Sequence, residues 1–170
     1  EVRKYLKNAK ILRMDVDTTR AKDSHEKIYN AFKAGEADIL IGTQMVSKGL
    51  DFPNVTLVGI LSADMSLNLP DYRAAERSFQ IITQVAGRAG RGEKEGEVIV
   101  QTYTPEHYSL QYAKKYDYED FYEKEFTIRA MMGYPPFGRI LLINGIGKNE
   151  DELKKQMIFL GKKVKEKAEE

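Results

Sequence analysis

The chain has 170 residues, 42% hydrophobic and 31% charged, which is the length of one large domain or two small ones and the composition of a globular protein. Its 27 lysines and arginines against 26 aspartates and glutamates leave a net charge of +1, so no overall field draws it to a polyanion and any nucleic-acid contact must be local. The absence of cysteine excludes disulfides, a thiol nucleophile and cysteine-ligated metal.

No run of about 18 apolar residues occurs as a membrane span would need, and Glu1–Lys7 lacks a leader's apolar segment. A cytoplasmic protein is expected. The start at Glu1 and the end in Lys165-Glu166-Lys167-Ala168-Glu169-Glu170 read as a segment of something longer.

In chain order, Ile11–Val16 is a short apolar run closed by Asp17-Thr18-Thr19 and predicts a strand. Asp23 with Glu26 is suited to cap a helix whose stripe is Ile28, Ala31 and Phe32 and whose stop is Gly35. Ala37–Gly42 and Val55–Leu61 are nearly all apolar and predict strands covered on both faces. After the polar stretch 62–70, Asp71 is placed to cap a helix with Ala75, Phe79, Ile82 and Val85 at helical spacing. Gly96–Tyr103 reads as a further strand. Strands alternating with helices predict a parallel sheet in an α/β layered domain over about residues 9–104.

Thr104-Pro105-Glu106 marks a change to a helical, tyrosine-rich region over 105–136. Tyr108, Tyr112 and Tyr116 fall four apart, either a stacking platform for unpaired bases or, the reading preferred, a packed face with hydroxyls at its wet edge. Gly133–Gly138, with two prolines, predicts a rigid turn, and residues 137–170 the beginning of a further α+β domain: a strand at Arg139–Gly145, then a helix striped by Leu153, Met157, Leu160 and Val164.

Two runs carry chemistry. Gln84-Val-Ala-Gly-Arg-Ala-Gly-Arg91 presents Arg88 and Arg91 among glycines. Planar guanidinium forks suit the oxygens of a transferring phosphoryl group, and glycines leave the approach open. Taken alone, this run divides evenly between that use and a solvated basic loop. Ile41-Gly-Thr-Gln-Met-Val-Ser-Lys-Gly-Leu-Asp-Phe-Pro53 begins where an apolar strand ends, the edge at which open α/β sheets bind ligands. Its threonine and backbone donors suit phosphate oxygens, whereas Asp51 can accept a ribose hydroxyl or hold a cation.

These two runs resemble motifs V and VI of superfamily 2 helicases. Arg13–Thr19, Asp71–Arg77 and Gly133–Arg139 narrow the likeness to the PriA family of replication-restart helicases. The resemblance implies a RecA-like second helicase lobe with a three-layer parallel-sheet α/β fold over 1–104, a helical linker over 105–136 and the start of an α+β C-terminal domain over 137–170. It implies an ATP-dependent 3′ to 5′ DNA helicase working in primosome assembly, with ATP and Mg²⁺ bound in a cleft shared with a first lobe that carries the Walker A lysine and the acidic metal motif. No Walker A run occurs here, so the chain alone is expected to lack ATPase activity. Zinc is expected only upstream, with the family's cysteines.

By position, the resemblance puts Gln84, Arg88 and Arg91 at the γ-phosphate, with Arg91 as arginine finger. It puts Gly49 and Asp51 at the nucleotide, and Thr43, Gln44 and Ser47 on the nucleic-acid backbone. Implied partners are the first lobe, single-stranded and forked DNA, other replication-restart proteins and single-stranded DNA-binding protein. Two alternatives stay open: another superfamily 2 translocase, including an RNA helicase, or a non-catalytic nucleic-acid or partner-binding module. Lys48 and the Lys-rich last helix read as solvated, His25 and His107 as too far apart for a metal pair. Asp71, Arg73, Glu76 and Arg77 divide evenly between surface ion pairs and a DNA-facing cluster.

Overall fold

The computed structural model describes residues 2–15, 18, 24–43, 46, 52–90 and 95–169. They fall into two compact units, Glu1–Ile128 and Arg129–Glu170. Unit 1 opens with a one-turn helix α1 (Val2–Tyr5), then β1 (Ile11–Met14), α2 (Ser24–Lys33) and β2 (Ile39–Gly42). β3 (Leu57–Ile60), α3 (Asp64–Leu67), α4 (Ala74–Ala86) and β4 (Glu97–Val100) follow, then α5 (Tyr108–Lys115) and most of α6 (Tyr118–Met132).

The strands pair in parallel through helical crossovers, as parallel strands must. β1 lies beside β2 with Ile11 opposite Ile39 and Met14 opposite Gly42, and β3 beside β4 with Leu57 opposite Glu97 and Ile60 opposite Val100. Among the described residues the pairing forms two two-stranded sheets rather than one continuous sheet. β3 and β4 alternate exposed and half-buried residues, not the two covered faces that their apolar sequences predict. Leu57 and Ile99 are exposed, since a pair with helices against one side leaves its other side open.

Among the described residues, two cores hold unit 1. Met14 and Phe52 are buried among Ile28, Tyr29, Phe32, Leu40, Val46 and Val55, with Phe52 edge-on to Phe32 at 4.9 Å. The larger core joins Ala63, Phe79, Ile82, Leu110, Ala113 and Phe121, so α5 and α6 close over α4. α2 ends as its glycine demands: Gly35 takes φ 77°, its N–H bonds Phe32 O and the next N–H bonds Ala31 O, a Schellman stop. The predicted cap Asp23 lies outside the described residues.

The three tyrosines do not form one platform. Tyr108 and Tyr112 pack against the larger core, and Tyr108 OH donates to buried Glu125 Oε2 at 2.5 Å. Tyr116 instead ends α5 in the left-handed region at φ 55°, so its ring leaves the shared face. At the other end of α5, His107 Nδ1 accepts from Ser109 N at 3.3 Å and capping requires it unprotonated.

Burial lowers the His107 pKa, outweighing the opposite pull of the Glu125 charge. The folded form therefore binds fewer protons than the unfolded chain, whose imidazole titrates near 6.5. Stability from this cap is fully present above about pH 6.5 and falls as pH drops through that value toward the lower folded pKa. His107→Asn, which caps at any pH, flattens this stretch of the stability curve in thermal melts between about pH 5 and 7.

In unit 2, α6 ends at Gly133, φ 64°. Pro135–Pro136 is cis, and Phe137 N closes the turn on Tyr134 O at 2.9 Å. The strand predicted at Arg139–Gly145 is not formed. A strand needs a ladder partner, and unit 2 holds no second strand among the described residues. α7 (Glu150–Glu169) follows, and a Cβ on Gly145 would meet Met157 Sδ at 2.6 Å, so two residues of the predicted stripe, Leu153 and Met157, cradle the 145–147 backbone.

Candidate functional site

α4 presents Gln84, and the turn beyond its carboxyl end presents Arg88. Asp71 prepares its first turn, although the capping position falls to Arg73: Asp71 Oδ1 accepts from Arg73 N at 2.9 Å and Asp71 O from Ala74 N. The same carboxylate pairs with Arg77 Nη1 at 2.8 Å and faces Arg73 Nε at 3.7 Å. The Arg73 backbone donor, then the Arg77 and Arg73 charges, hold its pKa below the usual carboxylate value against the effect of burial. Of the cluster left open by sequence, Arg73 and Arg77 each pair with the Asp71 carboxylate.

Ala74, Ser78, Phe79, Ile82 and Ala86 form the buried stripe of α4, offset from the predicted one. Gln84 faces solvent and Arg88 is half-buried, its Nε out of solvent reach. Beyond Ala86 the backbone tightens, with Arg88 N bonded to Val85 O and Ala89 N to Ala86 O. A helix carboxyl end repels anions, so any phosphate here is held by guanidinium groups and not by the helix dipole.

Glycines seat the arginine segment. Gly90, φ 72°, donates to Val55 O at 3.0 Å, which places it at the amino end of β3. A Cβ on Gly96 would run into Gly90 N and come within 2.7 Å of Ala89 Cβ. The backbone on either side of residues 91–94 is thus drawn together next to the strand entrance. Gly96→Ala costs about 1–3 kcal/mol by overpacking, read from urea unfolding of the chain. An unchanged midpoint would refute the contact.

The first run lies elsewhere. Thr43 is exposed one residue beyond the carboxyl end of β2, and its carbonyl accepts from Val46 N at 3.0 Å. Gly42 permits a close approach there, since a Cβ would lie 2.5 Å from Met14 O. Of the residues nominated from sequence, Thr43, Gln84 and Arg88 are described. Gln44, Ser47, Lys48, Gly49, Asp51 and Arg91 lie outside the described residues.

Sequence reasoning missed a polar lock on the opposite, carboxyl edge of β3 and β4. Asp64 Oδ1 accepts from Thr102 Oγ1 and Thr104 Oγ1, each at 3.0 Å, and Asp64 Oδ2 from Tyr103 N at 3.0 Å. Burial raises the Asp64 pKa, but these donors outweigh it and leave the carboxyl below its ordinary value. The signal was an aspartate after one strand and hydroxyls after the next. Among the described residues no group of three or more histidine or acidic side chains is arranged to hold a metal ion, and no helix is long and apolar enough to cross a membrane.

The family model of the helicase conserved C-terminal domain matches residues 1–93 of the chain. The chain belongs to this helicase family. Both chemical runs fall within the matched span. The chain is 59% identical over 143 residues to the replication restart protein PriA of Bacillus subtilis (strain 168), covering 84% of the chain and 18% of that protein. Identity to the PriA of Synechocystis sp. is 51% over 144 residues, 85% of the chain and 17% of the relative. To that of Borreliella burgdorferi it is 42% over 166 residues, 98% and 25%. The chain thus spans between 17% and 25% of the length of these curated relatives.

Proposed function

We propose that this helicase domain is the second wall of an ATP cleft in a 3′ to 5′ DNA helicase of replication restart, with residues 1–104 as the lobe, 105–136 as a helical linker and 137–170 opening a further domain. Arg88 and Arg91 face the γ-phosphate, Arg91 as the finger, with Gln84 beside them. Gly49 and Asp51 approach the nucleotide, Asp51 at the ribose. Thr43, Gln44 and Ser47 grip the backbone of one DNA strand. A first lobe supplies the phosphate loop and most of the Mg²⁺ ligands, so the chain alone does not hydrolyse ATP.

The observation that carries this reading is the seating of the arginine segment by Gly90, Gly96 and Val55. It fixes the turn that follows Arg88 at a stiff strand entrance, where charge can be met without reorganisation. Chemistry then follows from closure. Bound ATP draws the two lobes together, Arg91 meets the charge on the transferring phosphoryl oxygens, and hydrolysis reopens the cleft while Thr43 and its neighbours shift their hold on the strand. The partners of this reading are single-stranded and forked DNA, the first lobe, other primosome proteins and single-stranded DNA-binding protein. The test is DNA-stimulated ATP hydrolysis by the two-lobed protein with and without Arg91. Equal rates would remove the finger from the scheme.

A further inference from the structure

The carboxyl edge of β3 and β4 is the edge at which open parallel sheets take ligands, yet the arginine segment is seated at the other. What occupies the carboxyl edge is a rigid frame around one exposed ring. Ala63 N bonds Gln101 O and Gln101 N bonds Ile60 O, Asp64 fastens residues 102–104 through both hydroxyls and the Tyr103 N–H, and Thr104 N bonds Thr102 Oγ1. Ser62 is held at φ 55°, a conformation costly for a side chain other than glycine and one that concentrates at functional sites.

Tyr103 itself is 95% exposed. Tyr108 and Tyr112 spend their rings on the core, and Tyr118 and Tyr122 pack on each other and on Phe79 and Phe126. Leu61 and Met65, 78% and 76% exposed, flank the Asp64 side of the frame in sequence. Three side chains fall well short of the roughly 800 Å² per partner of a stable protein interface, but one ring matches one base. Residues 61–65 and 101–106 contain no lysine or arginine and two acids, Asp64 and Glu106, so a phosphate gains nothing there. The Asp64 oxygens are turned to the loop that they hold.

We propose that Tyr103 is a stacking platform for an unpaired base of single-stranded DNA, with Asp64 as the residue that positions it. The inference rests on the nucleic-acid track proposed above and extends it from the end of β2 to the end of β4. A ring on an immobilised backbone loses little further freedom on stacking, and the contact is tolerant of base identity because every base has a π-face.

The chain has no tryptophan, so Tyr103→Trp introduces a single reporter at the ring. Titration with oligothymidylate quenches its emission, whereas an abasic oligonucleotide of equal length and charge does not. Tyr103→Ala weakens oligothymidylate binding roughly 5- to 150-fold, the change expected from one lost stack, and Tyr103→Phe restores it. Asp64→Asn reduces the quenching while Asp71→Asn leaves it intact. Binding by anisotropy with the emission of the introduced indole unchanged, or equal quenching by the abasic strand, overturns the stacking assignment alone. Failure of the chain to bind either strand overturns the nucleic-acid track and the platform with it.

Discussion

Replacement of Arg91 by alanine in the protein carrying both helicase lobes lowers kcat for DNA-stimulated ATP hydrolysis by about 10³- to 10⁵-fold, the range seen when a guanidinium that meets transition-state charge is withdrawn. KM for ATP changes much less, because an interaction made chiefly in the transition state leaves ground-state binding in place. Arg91→Lys does not restore the rate, since a point charge on a flexible stem lacks the planar fork. Steady-state kinetics at saturating DNA checks both. A mutant with normal kcat and a raised KM would place Arg91 in nucleotide binding only and shift the finger to Arg88, which the fold already holds half-buried at the end of α4.

Phe121→Ala destabilises unit 1 by about 3–5 kcal/mol. Phe121 is 3% exposed and stacks on Phe79 at 4.2 Å with an interplanar angle of 10°. It reaches from α6 onto α4, so its loss both opens a cavity and loosens the helix that carries Gln84 and leads into Arg88. Against a total of about 5–15 kcal/mol for an ordinary domain, this leaves little margin at physiological temperature. Urea denaturation of the wild-type and mutant chains measures it, and a shift below about 1 kcal/mol would mean that α6 is not part of the lobe's core. Phe121→Leu, which refills most of the volume, recovers part of the loss.

The residues differ in how much of their role could be read without coordinates. Gly35 stops α2 because a left-handed residue is needed there and glycine takes that conformation without strain, a local rule legible in any sequence. The half-buried stripe of α2 and the buried stripe of α4 follow from helical spacing, though in α4 the stripe is rotated to take in Ala74, Ser78 and Ala86. Arg139–Gly145 misled for the opposite reason: its apolar run has strand composition, but strand formation depends on a partner that composition does not contain. Tyr108 and Tyr116 share a helical spacing and diverge in space, since Tyr116 closes the helix instead of continuing it.

The sequence by itself determined the chemistry on offer: a pair of guanidinium groups among glycines, a threonine-led run after an apolar strand, and the alternation that makes a parallel α/β lobe. These depend on side-chain type and on spacing along the chain, which are local. Only the tertiary structure decided where the described parts of the chain meet. It seats the arginine segment at the amino end of β3 through a contact between Gly90 and Gly96 and a bond to Val55, and it closes Asp64 on Thr102, Tyr103 and Thr104 at the other end. Both arrangements join residues distant in sequence through close backbone approach and shared hydrogen bonds, and such pairings exist only once the strands have found their register.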